Sequence, residues 1–190
     1  MKILIVDNGS TYLAKLKSLT SKYPTSIKKY STLTVADHTG FDLIILSGGH
    51  NYPVIDHDSV YQLEIDLIKD SPTPILGICL GFELIAHVFD ATLVQISAKE
   101  KSILEIGKIV QDPVLDGLSS LKVFENHRYV VRDVGPSLVA IAGSVDGIEI
   151  IRHKDRLIYG FQFHPEMFRD ETQGDELFAN FIKIVENKEA

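Results

Sequence analysis

The chain has 190 residues but no tryptophan, only two methionines and a single cysteine, Cys79. One cysteine excludes an internal disulfide, so the core alone must hold the fold, and the expected setting is a reducing, cytoplasmic one where a thiol stays free. Positive charge is also scarce. Lys plus Arg number 19 against 26 Asp plus Glu, a formal net charge of -7, and no basic run occurs. A nucleic acid would be gripped by clustered cations, so no nucleic-acid partner is expected. Long apolar runs are missing as well: Ile3 to Val6 is ended by Asp7, too short for a signal-peptide core or a bilayer span, so no membrane association is expected. The absence of a P-loop or a dinucleotide glycine pattern removes ATP and nicotinamide sites, and no cofactor is expected.

What is present is 45% hydrophobic residues arranged in short blocks. KILIVD, FDLIILSGG and TPILGI are continuous apolar runs ending in glycine or polar residues, the pattern of parallel strands covered on both faces. Between them, Leu13, Leu16 and Leu19 mark one helix, and Val60, Leu63, Leu67 and Ile68 mark another with Asp58 or Ser59 as its capping candidate. After about Ala91 the blocks ATLVQIS, ILEIGKIV, LKVFEN, LVAIAGS, GIEIIRH and RLIYGFQF follow with little helix between them, which predicts a strand-rich, partly antiparallel second half. DELFANFIKIVEN closes the chain as an amphipathic helix. Residues 1–190 therefore read as a single α/β domain with a mixed, mostly parallel sheet and helices on both faces.

The lone thiol sits in Gly77-Ile78-Cys79-Leu80-Gly81, at the end of an apolar run and the start of a helical pattern. Glycines on either side permit a sharp strand-to-helix turn that lifts one side chain out of the sheet, at the carboxyl edge where open parallel sheets bind ligands. A helix N-terminus is expected to favour thiolate over thiol. The alternative is a small buried hydrophobe, and a nearby base decides between the two. Among seven histidines, His164 stands out, because Pro165 steers it to extended dihedrals and so places Glu166, two residues on, on the same side. A carboxylate on one ring nitrogen fixes the tautomer and supports the imidazolium formed at the other. Ser47-Gly48-Gly49-His50 follows the run DLIIL, and the N–H groups of Gly49 and Leu80 are candidates for an oxyanion hole. His50, Asp56, His57 and Asp58 have no spacing that matches a metal site, and none is expected.

Taken together, ILSGG, G-x-C-x-G and a late H-P-E, in that order, resemble the class I (triad) glutamine amidotransferases. IVDNGS, PILGICLG, VFENH at Val123 to His127 and YGFQFHPE extend the resemblance over nearly the whole chain, closest to the glutaminase part of GMP synthetases. The resemblance implies a flavodoxin-like three-layer fold in which Cys79 attacks the side-chain amide of glutamine to give a γ-glutamyl thioester and ammonia, with His164 and Glu166 completing the triad. The chain also departs from the family pattern. Where the family has G-H-Q, this sequence has Gly81-Phe82-Glu83; His50 replaces a proline; and the S-H-x-D segment reads Asn126-His127-Arg128-Tyr129. Glu83, Asn126, His127, Arg128 and Tyr129 are therefore expected to line an altered substrate pocket, with Arg128 able to hold a carboxylate bidentately.

Three functions remain open on this reading. One is a glutaminase that passes ammonia to a separate synthetase or synthase chain. Another is a stand-alone γ-glutamyl hydrolase or peptidase in which Glu83 reads a positive group. The last is a non-enzymatic binding module on the same fold.

Overall fold

The alternation of apolar runs and amphipathic stretches produces β1 (Ile3–Asn8), α1 (Leu13–Leu19), β2 (Thr25–Lys29), β3 (Leu43–Gly49), α2 (Asp58–Asp70), β4 (Ile75–Ile78) and α3 (Leu80–Val88). The second half adds β5 (Thr92–Glu100), β6 (Ile103–Glu105), β7 (Gly107–Lys108), β8 (Lys122–Phe124), β9 (His127–Asp133), β10 (Leu138–Gly143), β11 (Ile148–His153), β12 (Ile158–Phe161) and the closing helix α4 (Gly174–Glu189). The structure is a computed structural model and describes residues 1–189. Its main sheet runs β2-β1-β3-β4-β12-β11-β10-β7, with β9 attached to β11 and β5 to β9. Strands from β2 to β12 in this order are parallel, and the pairs from β12 outward are antiparallel.

Side chains alternate across a strand, so each buried strand feeds two layers. Ile3, Ile5, Leu43, Ile45, Leu76 and Ile78 face Leu16 of α1 and Leu177, Phe178 and Phe181 of α4. Leu4, Val6, Ile44, Leu46 and Ile75 face Tyr61, Ile65 and Ile68 of α2 and Phe82 and Ile85 of α3. Each fully buried aliphatic side chain contributes on the order of 1.5–3 kcal/mol, which explains how the fold dispenses with cross-links. This is the three-layer α/β architecture expected from the sequence. Among the described residues, no helix is long and apolar enough to cross a membrane.

Three local readings are corrected. Neither Asp58 nor Ser59 caps α2: the helix begins at Asp58, follows His57 and has no side-chain cap bond. Asp58 instead lies in the first turn, where its charge suits the helix dipole, and meets His87 Nε2 at 3.0 Å. TSIKK, polar and largely exposed, pairs with β1 as an edge strand. His127 to Tyr129 do not form a loop but open β9, which continues to Asp133.

Candidate active site

β4 ends at Ile78 and α3 begins at Leu80, which leaves Cys79 alone to make the turn. Its backbone lies at φ 52° and ψ -103°, a conformation that costs a non-glycine residue roughly 1–3 kcal/mol. Neighbouring bonds hold it there: Cys79 N–H donates to Phe161 O at 2.8 Å, and Glu83 N–H donates to Cys79 O at 2.9 Å. The flanking glycines are required by contact. A Cβ on Gly77 would stand 2.3 Å from Gly81 O, and one on Gly81 would stand 2.4 Å from Leu46 O. Helix and strands thus meet backbone to backbone beneath the cysteine.

Beyond the end of β12, His164 and Glu166 present their side chains to one side, and His164 Nδ1 lies 2.9 Å from Glu166 Oε1. The imidazole is fixed from several directions. His164 N–H donates to Phe124 O at 2.9 Å, and the Tyr12 ring stands edge-on with centroids 4.8 Å apart. Gly48 provides the room between base and nucleophile: a Cβ there would fall 2.8 Å from His164 Cε1 and 3.5 Å from Cys79 Cβ. With Nδ1 committed to Glu166, Nε2 is the nitrogen able to exchange a proton with the thiol. Cys79 and His164 also line one shared cleft with Gly49 and Asn126.

The expected thiolate is corrected. Burial pushes the Cys79 thiol well above its ordinary value, the carboxyls of Glu83, Glu125 and Glu166 push it further up, and the Leu80 N–H is the opposing influence. Desolvation of a sulfur 5% exposed outweighs the dipole of one short helix. The resting group is therefore a thiol, whose proton must leave as it attacks.

A cavity of about 410 Å³ opens over Cys79. Gly49 and Leu80 stand at its edge, and Glu83, Asn126, His127, Arg128, Tyr129 and His50 all line it, so the structure brings together the residues singled out in the sequence. Phe82 does not join them. It is fully buried and packs in the α2–α3 layer. Asn126 O lies 3.8 Å from Cys79 Sγ, and Asn126 Nδ2 donates to Tyr12 Oη at 2.9 Å. Burial raises the Glu83 carboxyl to about 7, against the opposing influence of His127 and of a hydrogen bond with Gln162.

Sequence reasoning missed Tyr52, Gln95 and Lys99 in the cavity wall, and it missed the buried Gln162 beneath Glu83. It also missed Glu64. This carboxyl accepts from Asn8 Nδ2 at 3.0 Å, while Asn8 N–H donates to Ser47 Oγ at 3.0 Å and Asn8 Nδ2 reaches Ser47 O at 3.1 Å. Glu64 on α2 therefore braces the segment that carries Gly48 and Gly49. The only sequence signal was an acid on the apolar face of a helix.

Burial raises Glu64 from 4.5 to about 8, opposed by the Asn8 hydrogen bond. Between those values the folded chain keeps a proton that the unfolded chain releases, so the Glu64 contribution to stability is present below pH 4.5 and is lost as pH rises toward 8. Glu64→Gln keeps the acceptor and removes the titration. Denaturant unfolding is expected to find the variant more stable than the parent at pH 8 by on the order of 2–4 kcal/mol, with the gap closing at pH 5. Parallel stability curves for the two proteins would contradict this assignment.

With the geometry in place, comparison with known proteins gives one answer. Residues 4–184 match the family model described as glutamine amidotransferase class-I. The corresponding subunit of the glutamine-hydrolyzing GMP synthase from Pyrococcus abyssi is 30% identical over 190 residues, covering 96% of this chain and 97% of that one. Its counterpart in Methanosphaera stadtmanae, under the same name, is 32% identical over 193 residues, covering 98% and 100%. The crystal structure of a protein described as a GMP synthase subunit from Thermoplasma acidophilum superposes with a TM-score of 0.88 at 29% identity, over 100% of this chain and 96% of that one.

Proposed function

The chain belongs to the class-I glutamine amidotransferase family, and from that premise we propose that it is the glutaminase subunit of a GMP synthase, working in the cytosol beside a separate synthetase chain. The observation that carries the chemistry is the pairing of Cys79, alone on its strained turn, with the His164–Glu166 couple across Gly48. Relatives of nearly equal length that are named as one subunit of GMP synthase favour this reading over a free-standing γ-glutamyl hydrolase.

An amide is a poor electrophile with a poor leaving group, so a covalent route divides the task. As Sγ attacks the side-chain carbonyl carbon of glutamine, His164 Nε2 takes the thiol proton and Glu166 steadies the imidazolium. The carbonyl oxygen becomes an oxyanion held by the N–H groups of Gly49 and Leu80. Collapse returns the His164 proton to the amide nitrogen, ammonia leaves, and a γ-glutamyl thioester remains on Cys79. Water then attacks with its proton passing to His164; glutamate departs, and that proton restores the thiol. Arg128 and Lys99 supply cations for the substrate carboxylate, while Glu83, Asn126, His127 and Tyr129 shape the remainder of the cavity.

Brief exposure to glutamine followed by mass spectrometry should find a γ-glutamyl adduct on Cys79, absent from His164→Ala. Ammonia release should rise roughly tenfold or more when a GMP synthase lacking its own glutaminase subunit is added. A higher kcat/KM for a γ-glutamyl amine than for glutamine, with no response to that synthetase, would favour the stand-alone hydrolase.

A further inference from the structure

Behind the cavity wall lies a cluster that the hydrolytic route does not use. Glu125 and His127 flank Asn126 at the corner between β8 and β9, and Glu149 reaches them from β11. One ligand-type atom from each lies within 4.8 Å of the others. All three residues are buried, with exposures of 0%, 4% and 1%. We propose that Glu125, His127 and Glu149 bind a first-row transition-metal dication such as Zn²⁺, which fastens the Asn126 corner to β11.

The unsatisfied atoms point to a ligand. Both Glu125 oxygens, Glu149 Oε2 and both His127 ring nitrogens are buried without a hydrogen-bond partner. Glu149 Oε1 alone is satisfied, by the Ser144 hydroxyl at 2.7 Å. Glu125 Oε2 and His127 Nε2 approach to 3.2 Å yet make no directed hydrogen bond. Unpaired buried anions are costly, and the charged groups that bear on these two carboxyls are each other, Glu100, Asp146 and His127, with no lysine or arginine among them. A dication matches the charge of two carboxylates. The imidazole selects the class, because Mg²⁺ and Ca²⁺ take oxygen donors whereas Zn²⁺ and its neighbours accept a mixed nitrogen and oxygen set.

The corner in question touches both reacting groups. Phe124 O receives the His164 N–H, and Asn126 O faces Cys79 Sγ. The bound cation is thus a positioning element rather than a participant in the chemistry. The sequence expectation of no metal rested on spacing along the chain, and Glu149 comes beside the other two ligands only through folding.

The test is direct binding to the full chain after treatment with a chelator. Calorimetry with Zn²⁺ should find one equivalent, and Co²⁺ should give weak visible bands typical of nitrogen and oxygen donors. Glu149→Gln should weaken binding roughly ten- to a hundredfold, whereas Cys79→Ser should leave it unchanged. Absence of binding at about 1 mM, binding that needs Cys79, or binding that survives Glu149→Gln would each overturn the assignment. Should Glu149→Gln fail to fold, the parent's Co²⁺ spectrum decides alone, since a thiolate ligand adds intense near-ultraviolet charge-transfer bands and would refute the site. A metal-free parent whose Glu125→Gln variant is more stable would show that the two carboxyls share a proton instead. Because the readout is binding, its failure is distinguishable from failure of the glutaminase reading.

Discussion

Replacing Cys79 with glycine is expected to bring glutamine hydrolysis to background while leaving the protein more stable than the alanine variant. Loss of the only nucleophile removes the thioester route, an effect of about 10⁴-fold or more in kcat. The stability order is the more discriminating part. At an ordinary helix boundary or strand position alanine is the more stable choice, since glycine gives the unfolded chain more freedom. At φ 52° and ψ -103° the ranking inverts, because a Cβ is what makes the conformation costly. Cys79→Gly should therefore unfold at higher denaturant than Cys79→Ala, by about 1 kcal/mol. Alanine more stable than glycine would mean that the turn is not strained and that the elbow does not present the sulfur as described.

Gly48→Ala carries the second large effect. Nothing in the backbone forbids alanine here, since Gly48 is not among the positive-φ residues. What forbids it is the imidazole: the new methyl would sit 2.8 Å from His164 Cε1. The ring cannot simply retreat, held as it is by Glu166 and with its backbone N–H bound to Phe124 O. A shift of about 1 Å between base and nucleophile costs on the order of 10² in rate. Steady-state kinetics should show kcat falling by about that factor with a smaller change in KM, and thermal unfolding should stay close to the parent. Gly81→Ala is the contrasting case, since its Cβ would meet the Leu46 carbonyl oxygen at 2.4 Å and no side chain can yield. A Gly48→Ala protein with full activity would place the imidazole elsewhere in solution.

Much of this arrangement was legible because its signals are local. β1, β3 and β4 are uninterrupted apolar runs, and the residues that punctuate them, Gly48, Gly49 and Cys79 with its glycines, are the ones that build the site. His164 and Glu166 were readable as a couple because proline dictates the backbone between them. Other features are set by tertiary contact and left little trace. β2 is too polar to look like a strand until β1 supplies its hydrogen bonds, and Tyr12, on the turn before α1, gives no hint that it will lie against His164. Glu64, Glu125, Glu149 and Gln162 are polar residues in buried surroundings, where periodicity predicts only that something apolar should stand. The thiol's protonation state was misjudged for a related reason: a helix start is visible in sequence, whereas the hydrocarbon and carboxyls that crowd the sulfur are assembled by folding.

The helix behind the nucleophile has a mechanical consequence. From Leu80 to Ala86 every residue of α3 is buried, and the helix is wedged among β3, β4, β12, α2 and the β5–β9 ribbon. A segment clamped on so many sides is a fixed anvil, so the sulfur is stationary and any tightening around a bound substrate falls to the opposite jaw. That jaw is built from His50, Tyr52 and Pro53 on one side and Gln95, Lys99, Arg128 and Tyr129 on the other. A second chain that settled on this rim would alter the reaction by reshaping the mouth above an immobile floor.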